Sequence, residues 1–323
     1  MSKETLASFP DNPRLSDALS PSEFWAELAA EHAADLAEFG FDNMKRRQAL
    51  RYFTWRWGAR RALRSEQLLY LLRNTSPRAW ARCASERVDM AAARWAPLPW
   101  SRLERWLYAV AVRLLWTYAH DRDRLGVLRL GEPLLGNPPP VYYRGRLISQ
   151  DLANSALEVD AIHRLLSGHS PRSILEIGAG YGRVAYVLMS LHPTCSYTVV
   201  DIQPALGISE RYLRTLFPNR DVTFMTPESV AEIPRGTIDL AFSISSLQEM
   251  TTEQIRNYLA LVDRVAHGGA VYLKQWSSWY NPKDLTTVTF DDYNIPDRWE
   301  LAFREPAQVQ TNFTHAGWHI KGQ

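Results

Sequence analysis

The pattern of apolar positions divides this chain into two parts. In residues 1–140 apolar residues recur at helical spacing with few strand signals, whereas in residues 171–323 short apolar runs alternate with amphipathic stretches. The first part predicts helices over residues 22–39, 43–63, 65–73, 77–93 and 101–122. The Gly-Asn-Pro-Pro-Pro stretch at 136–140 is typical of a linker. We therefore predict two domains, residues 1–140 and 141–323.

The second part has the alternating order of an α/β protein. A small hairpin over residues 141–148 and a helix over 151–166 come first. Strands are then predicted at 174–177, 197–201, 222–225, 238–243 and 270–275, and helices at 183–191, 205–216, 227–232 and 252–266. A closing antiparallel pair is expected from residues 299–303, 309–313 and 318–320. The predicted fold class is therefore α/β, a Rossmann-like, seven-stranded, mostly parallel sheet with an N-terminal helical domain.

The turn after the first strand of this sheet carries the most chemical information. Residues 176–182 read Glu-Ile-Gly-Ala-Gly-Tyr-Gly, and Asp201 ends the next strand. A dinucleotide fingerprint needs the spacing G-x-G-x-x-G, whose third glycine would fall at Arg183. Glu176 would also repel a pyrophosphate, whereas S-adenosylmethionine (SAM) carries a sulfonium and an ammonium and no phosphate. The turn thus predicts a SAM site in which Asp201 accepts both ribose hydroxyls.

This turn and the acid that follows it resemble motif I and the post-I acid of class I SAM-dependent methyltransferases. The wider layout resembles the sugar O-methyltransferase family, with matching pieces at residues 24–25, 40–46, 142–145, 148–155, 158, 246–250 and 274–276. The resemblance implies a Rossmann-like methyltransferase domain with a helical N-terminal lid. It also implies O-methylation of a hydroxyl on a glycosyl or secondary-metabolite small molecule.

Ligands of doubly wound folds bind at the carboxyl ends of the strands. There, and at the start of the helix that leads into the first strand, we expect these cofactor contacts: Glu176, Gly178, Ala179, Gly180, Tyr181, Asp201, Ile202, Thr226, Pro227, Ser245, Gln150 and Asn154. For the acceptor we expect Tyr142, Tyr143, Ser246, Lys274 and Trp276. Lys274 could bind an anionic part of the acceptor or could be a lysine at the surface.

An alcohol acceptor must lose a proton, so the segment after the fourth strand is the place to look for a base. Glu249 could be a general base, a hydroxyl ligand or a metal ligand, or it could simply be a carboxylate in the first turn of a helix. Gln248 would assist, and His163 or His267 would be the next candidates for the base.

The composition of the chain limits which metals, membranes and macromolecules it is expected to bind. The net charge is +2, and the two cysteines, Cys83 and Cys195, have no metal-binding spacing. We expect no metal cofactor, no membrane-spanning or signal segment, a cytoplasmic location and a possible homo-oligomer. Residues 44–64 hold eight basic residues and no acid. The near-neutral total charge favours a solvated, Arg-rich helix face, and the alternative is a site for nucleic acid or a phosphorylated substrate. The alternatives are N- or C-methylation of an aromatic natural product, an RNA-modifying methyltransferase, and a non-catalytic cofactor-binding partner.

Overall fold

The structure is a computed structural model that describes residues 29–30, 33–34, 36–38, 40–46, 65–281 and 286–322. The described residues between 29 and 38 are helical, apart from these gaps. Phe24-Trp25, most of the helix predicted over 43–63 and the basic residues from Arg47 to Arg64 lie outside the described residues. No helix in the described ranges is long and apolar enough to cross a membrane.

Four α-helices make up the described N-terminal part after residue 65. They are α1 (Glu66–Asn74), α2 (Pro77–Ser85), α3 (Ala92–Trp95) and α4 (Arg102–His120). Serines begin three of them, because the side chains of Ser65, Ser76 and Ser101 each accept a hydrogen bond from a first-turn N–H group. The predicted helices at 65–73 and 101–122 are confirmed to within about two residues.

The single helix predicted over 77–93 is wrong, because α2 ends at Ser85. Arg113, which is fully buried in α4, donates hydrogen bonds to the carbonyls of Cys83, Glu86 and Arg87 at 3.1, 2.9 and 2.8 Å. A fourth bond, 2.9 Å long, goes to the carbonyl of Tyr142. The guanidinium thus satisfies the carbonyls at the end of α2 and holds the chain extended beyond it.

Residues 136–140, whose composition is typical of a linker, pack closely against the helical part of the chain. Most of this segment is buried, and Arg46 donates to the carbonyls of Asn137 and Pro138 at 2.7 and 2.9 Å. Arg46 also donates to the carbonyls of Arg94 and Ala96, which places the segment against the end of α3. The segment is therefore held by a buried guanidinium as well as by its prolines.

A short hairpin and a long helix lead into the sheet. Strands β1 (Tyr142–Tyr143) and β2 (Arg146–Leu147) pair through a turn in which Arg144 and Gly145 both have positive φ. Helix α5 (Gln150–Leu165) follows, capped by Ser149. It packs between α4 and the sheet, which places its first two turns near the strand ends described below.

Seven strands form one sheet within the described ranges. In sequence order they are β3 (Ser173–Ile177), β4 (Ser196–Val200), β5 (Val222–Met225), β6 (Leu240–Ile244), β7 (Ala270–Trp276), β10 (Trp299–Pro306) and β11 (Phe313–Ile320). Their order across the sheet is β10-β11-β7-β6-β3-β4-β5, and β11 alone runs against its neighbours. The crossovers contain α6 (Arg183–Leu191), α7 (Ala205–Leu216), a 3-10 turn (Pro227–Glu232) and α8 (Thr252–Val265). The predicted fold class is confirmed.

The end of the chain differs in detail from the prediction. The last strand covers Phe313–Ile320, whereas residues 309–313 were expected to be extended. Val309 has a positive φ of 66°, and the N–H of Ala307 bonds to the carbonyl of Phe313, so the segment between them closes a loop. A further hairpin, β8 (Ser278–Asn281) and β9 (Thr286–Thr289), lies after β7 and was not predicted.

The two faces of the sheet have different coverings. Ile174 and Phe242 point to one face and share a core with α4, α5, α6 and α7. Leu175 and Val271 point to the other, where they pack with α8 and with residues 288–299. The helical N-terminal part therefore belongs to the core of one face, and the alternation along each strand decides which side chains meet it.

We predict that Arg113→Met lowers the free energy of unfolding by about 3 kcal/mol, because four carbonyls, one of them buried, lose a fully buried donor. Urea denaturation measures the change. Arg102→Met, on the exposed start of the same helix, should change stability by less than about 0.5 kcal/mol. Equal stability of the two variants would show that the buried guanidinium does not organise this region.

Candidate functional site

The Gly-rich turn joins β3 to α6 at the carboxyl edge of the sheet. Gly178, Gly180 and Gly182 all have positive φ, at 76°, 60° and 89°. These values favour glycine at each position. A Cβ on Gly178 would also collide with the side chain of Ser246, which follows β6. The turn is therefore fixed both by its backbone and by the segment that faces it.

Asp201 lies at the end of β4 beside this turn. Its carboxylate accepts hydrogen bonds from the N–H of Gly180 at 2.9 Å and from the N–H of Ile202 at 2.8 Å. Burial raises the pKa of Asp201 to about 7, against the opposing effect of these backbone donors. The backbone N–H of Ala179 also acts to lower this pKa, so three of the roughly four lone-pair sites of the carboxylate face backbone donors and about one remains for a ligand hydroxyl.

Glu176, one residue before the end of β3, points to the same face of the sheet as Ile174, the face covered by α4, α5, α6 and α7. It is 3% exposed, and its Oε2 accepts a 2.6 Å hydrogen bond from the hydroxyl of Tyr197. Burial raises the pKa of Glu176 to about 7, although Tyr197 and Arg183 act to lower it. Two buried carboxylates with raised pKa values therefore flank the turn, which is an environment that a cation would stabilise.

Other expected cofactor residues border the same edge. Thr226 and Pro227 follow β5. The N–H of Asp201 donates a hydrogen bond to the carbonyl of Met225, the last residue of β5, so these residues lie beside Asp201. Gln150 and Asn154 are buried in the first two turns of α5. Ala179 and Ile202 lie in the turn and directly after Asp201.

Tyr181 has a different position from the one expected. Its ring is buried against Tyr212, and its hydroxyl donates a 2.8 Å hydrogen bond to Asp151 in α5. The ammonium of Lys45 lies 5.3 Å from the ring centroid. The side chain of Tyr181 therefore supports the turn from the helical layer, and only its backbone belongs to the turn.

The segment after β6 faces the turn. Ser245 has a positive φ of 57°, and its Oγ accepts a 3.2 Å hydrogen bond from the amide of Gln248. The next residues, Leu247–Glu249, form a 3-10 turn in which both Gln248 and Glu249 are 1% exposed. Burial raises the pKa of the Tyr293 hydroxyl, and the charge of Glu249 adds to this, so Tyr293 lies near that carboxylate.

Gln275 holds this segment in place and was not singled out in the sequence. Its Oε1 accepts from the N–H of Ser246 at 3.0 Å, and its Nε2 donates to the carbonyl and the Oγ of Ser243 at 3.0 and 3.1 Å. It is fully buried. A glutamine inside a predicted strand, two residues after its apolar run at 270–273, was the available signal, because a buried amide requires partners.

Lys274 is neither a surface lysine nor a cation open to an acceptor. Its Nζ lies 2.7 Å from Glu158 Oε1 and 2.5 Å from Gln310 Oε1, and the side chain is buried. Glu158 also binds Arg183, with contacts of 2.5 and 3.0 Å. The expectation that Lys274 binds an anionic acceptor does not fit this geometry, because its charge is already paired inside the protein.

The remaining acceptor and base candidates divide into two groups. Trp276 ends β7 at the carboxyl edge, beside the Ser245–Gln248 segment. Tyr143 is buried near Cys83 in the helical part, and Tyr142 is 39% exposed next to it. His163 lies near the end of α5. Burial lowers the pKa of His192 and the charge of His163 lowers it further, so the two histidines lie near each other, at the amino edge of the sheet.

His267 precedes β7 and is likewise at the amino edge. The structure therefore does not bring either histidine to the Gly-rich turn. Among the candidate bases, Glu249 belongs to the segment after β6, which faces that turn. The described residues contain no group of His, Cys, Asp and Glu side chains that could hold a metal ion.

No protein-family model matches the sequence, and no curated protein matches it significantly. Similar solved structures include a SAM-dependent methyltransferase from Aquifex aeolicus, at 14% identity, 46% coverage of this chain, 82% of that chain and a TM-score of 0.37. A geranyl diphosphate methyltransferase in complex with SAM is 11% identical, with 52% of this chain and 90% of that chain covered and a TM-score of 0.40. The [4+2]-cyclase SpnF is 13% identical, with 56% of this chain and 85% of that chain covered and a TM-score of 0.42. Similarity this distant carries no argument about activity, which must rest on the site itself.

We predict that Gly178→Ala destabilises the protein by about 3 kcal/mol, because the positive φ and the collision with Ser246 add together. Gly145→Ala is the matched control. It has a φ of 77° and open space around its Cβ, so about 1 kcal/mol is expected. Adding Ser246→Gly should recover roughly half of the Gly178→Ala loss in a thermal-unfolding double-mutant cycle. No recovery would rule out the contact between the two segments.

Proposed function

We propose that this chain is a SAM-dependent methyltransferase that acts on a hydroxyl of a small molecule, such as a sugar or a secondary metabolite. One observation carries the proposal. A Gly-rich turn with three left-handed glycines lies between two buried carboxylates, Glu176 and Asp201, at the carboxyl edge of a seven-stranded sheet. This set of groups suits a ligand with a ribose and a cationic amino-acid end, and it disfavours a pyrophosphate.

The residues fit the cofactor in two independent ways. The left-handed glycines let the turn pack against Ser246 and place no side chain at positions 178, 180 and 182, so a ligand can approach the backbone there. Both carboxylates have pKa values of about 7 in the free protein. An ammonium at Glu176 and a hydroxyl donor at Asp201 would favour their ionised forms. When bound, the cofactor supplies a methyl group already activated by its sulfonium.

The chain's own residues then have three tasks. The turn and the segment after β6 hold the reacting groups in line and keep water out. Gln275 fixes that segment through its bonds to Ser243 and Ser246. Glu249 is the proposed base that takes the proton from the acceptor hydroxyl, and Gln248 is proposed to orient the acceptor.

A change of one charge tests the cofactor site. Glu176→Gln keeps an oxygen that can accept from Tyr197 but removes the carboxylate charge. It should weaken S-adenosylhomocysteine binding about tenfold, as measured by calorimetry. Asp221→Asn, at the exposed amino edge of the sheet, is the matched control and should leave the affinity unchanged. Unchanged affinity in Glu176→Gln would remove the assignment of this carboxylate.

The same site predicts a pH dependence. Because the ionised carboxylates bind the ligand, affinity should fall as the pH drops from about 7.5 to about 6, through the raised pKa values of Glu176 and Asp201. Tyr197→Phe removes a hydrogen bond that lowers the pKa of Glu176, so it should move this fall to higher pH. A flat affinity across the range would contradict a carboxylate site.

The base is tested separately. Glu249→Gln should lower the rate of methyl transfer by about 10²–10⁴ while cofactor affinity is kept. S-adenosylhomocysteine formation is measured with an acceptor that the wild-type protein turns over. Glu253→Gln, an exposed residue in the first turn of α8, is the control and should retain the wild-type rate. A rate loss below about threefold in Glu249→Gln would place the base elsewhere or show that the acceptor needs none.

A further inference from the structure

Three aromatic rings lie side by side at the carboxyl edge, next to the segment after β6. Trp276 contacts Trp279 at 5.7 Å and Phe313 at 4.9 Å between ring centroids. The main-chain bond from Ser245 to Lys274 places Trp276 beside this segment, and β8, which carries Trp279, packs on the 247–249 turn. Together these rings form an apolar wall where the proposed acceptor would enter.

Two buried polar atoms at this wall lack hydrogen-bond partners among the described residues. They are Oε1 of Gln248, whose side chain is 1% exposed, and the indole Nε1 of Trp279. One atom requires a donor and the other requires an acceptor. Buried polar groups of this kind are normally satisfied, so the pair points to a ligand that brings both. A molecule with two hydroxyls on a ring can supply both.

The charge around the wall also limits the ligand. Lys274 lies under Phe313, with its Nζ 5.5 Å from the ring centroid, but it is paired with Glu158 and Gln310. Arg183 is committed to the same glutamate. In the part of the chain that the structure describes, these two cations therefore offer no open partner for a phosphate or a carboxylate on the acceptor.

Building on the proposed function, we propose that the acceptor is an uncharged ring diol. One face of its ring packs on Trp276, Trp279 and Phe313, and its hydroxyls bond to Gln248 Oε1 and Trp279 Nε1. A neutral sugar and a catechol share this chemistry. An acceptor that carries a phosphate, such as a sugar phosphate, does not fit the wall.

Ligand-observed NMR on the complex with S-adenosylhomocysteine tests the proposal. The probes are methyl glucoside as a neutral sugar, catechol as an aromatic diol, and glucose 6-phosphate as the anionic counterpart. At least one diol should bind with a millimolar dissociation constant, and the phosphate should bind tenfold or more weakly. Binding of neither diol, or equally tight binding of the phosphate, would overturn the proposal. The diol that binds identifies the scaffold.

Two variants locate the binding site. Gln248→Leu removes the amide oxygen and Trp279→Phe removes the indole N–H but keeps a ring, so each should weaken the bound diol about tenfold. Trp80→Phe is the control. Its indole already donates to Thr75 at 2.8 Å in the helical part, and diol binding should not change. Wild-type diol affinity in both test variants would overturn the assigned contacts.

Calorimetry with S-adenosylhomocysteine is run first on every protein, and it separates this inference from the proposed function. If the cofactor product binds and the diols do not, the acceptor class is wrong and the cofactor site stands. If the product itself fails to bind, the proposed function is wrong, and diol binding to the free protein then decides whether the aromatic wall is a ligand site.

Discussion

The arrangement of the site depends on a carboxylate that is buried between two cations. Glu158 is held by Arg183 and Lys274, and all three side chains are largely removed from water. Burial on its own would raise the pKa of Glu158, but the two cations lower it to about 2, so it stays ionised. These residues come from α5, from the start of α6 directly after the Gly-rich turn, and from the end of β7. The network therefore fixes the helical layer against the strands on both sides of the site. Removing one partner would leave a buried charge unpaired, which is far less favourable than losing a surface ion pair.

Glu176 and Asp201 have the opposite electrostatic character. Neither is held by a cation in a direct ion pair among the described residues, and burial brings their pKa values to about 7. The free protein therefore bears only part of the free-energy cost of two buried negative charges. A ligand with a positive group would offset the remaining charge, so the proposed cofactor would complete the electrostatic balance at this edge.

The helical N-terminal part is joined to this site by polar contacts as well as by its core. Lys45 bonds to Glu132 at 2.5 Å, and Glu132 accepts from Ser149, the residue that caps α5. Asp151, the second residue of that helix, accepts from Tyr181 in the Gly-rich turn. Hydrogen bonds on both sides of the start of α5 thus connect the segment at 41–46 with the turn. Such networks favour a single arrangement, because each member loses its partner if another moves.

The sequence by itself determined the order of the elements and the chemistry of the turn. Strands, helices and the Gly-rich turn follow from signals within a few residues of each other, so α6, α7 and β5 begin and end where the sequence predicts. The tertiary structure decided which side chains meet. Lys274 pairs with Glu158, which is 116 residues away in the sequence. Arg113 in α4 donates hydrogen bonds to carbonyls at the end of α2. The wall of Trp276, Trp279 and Phe313 joins two strands and a hairpin, whereas His163 is carried to the far edge. These outcomes depend on packing between distant segments, which no local pattern contains.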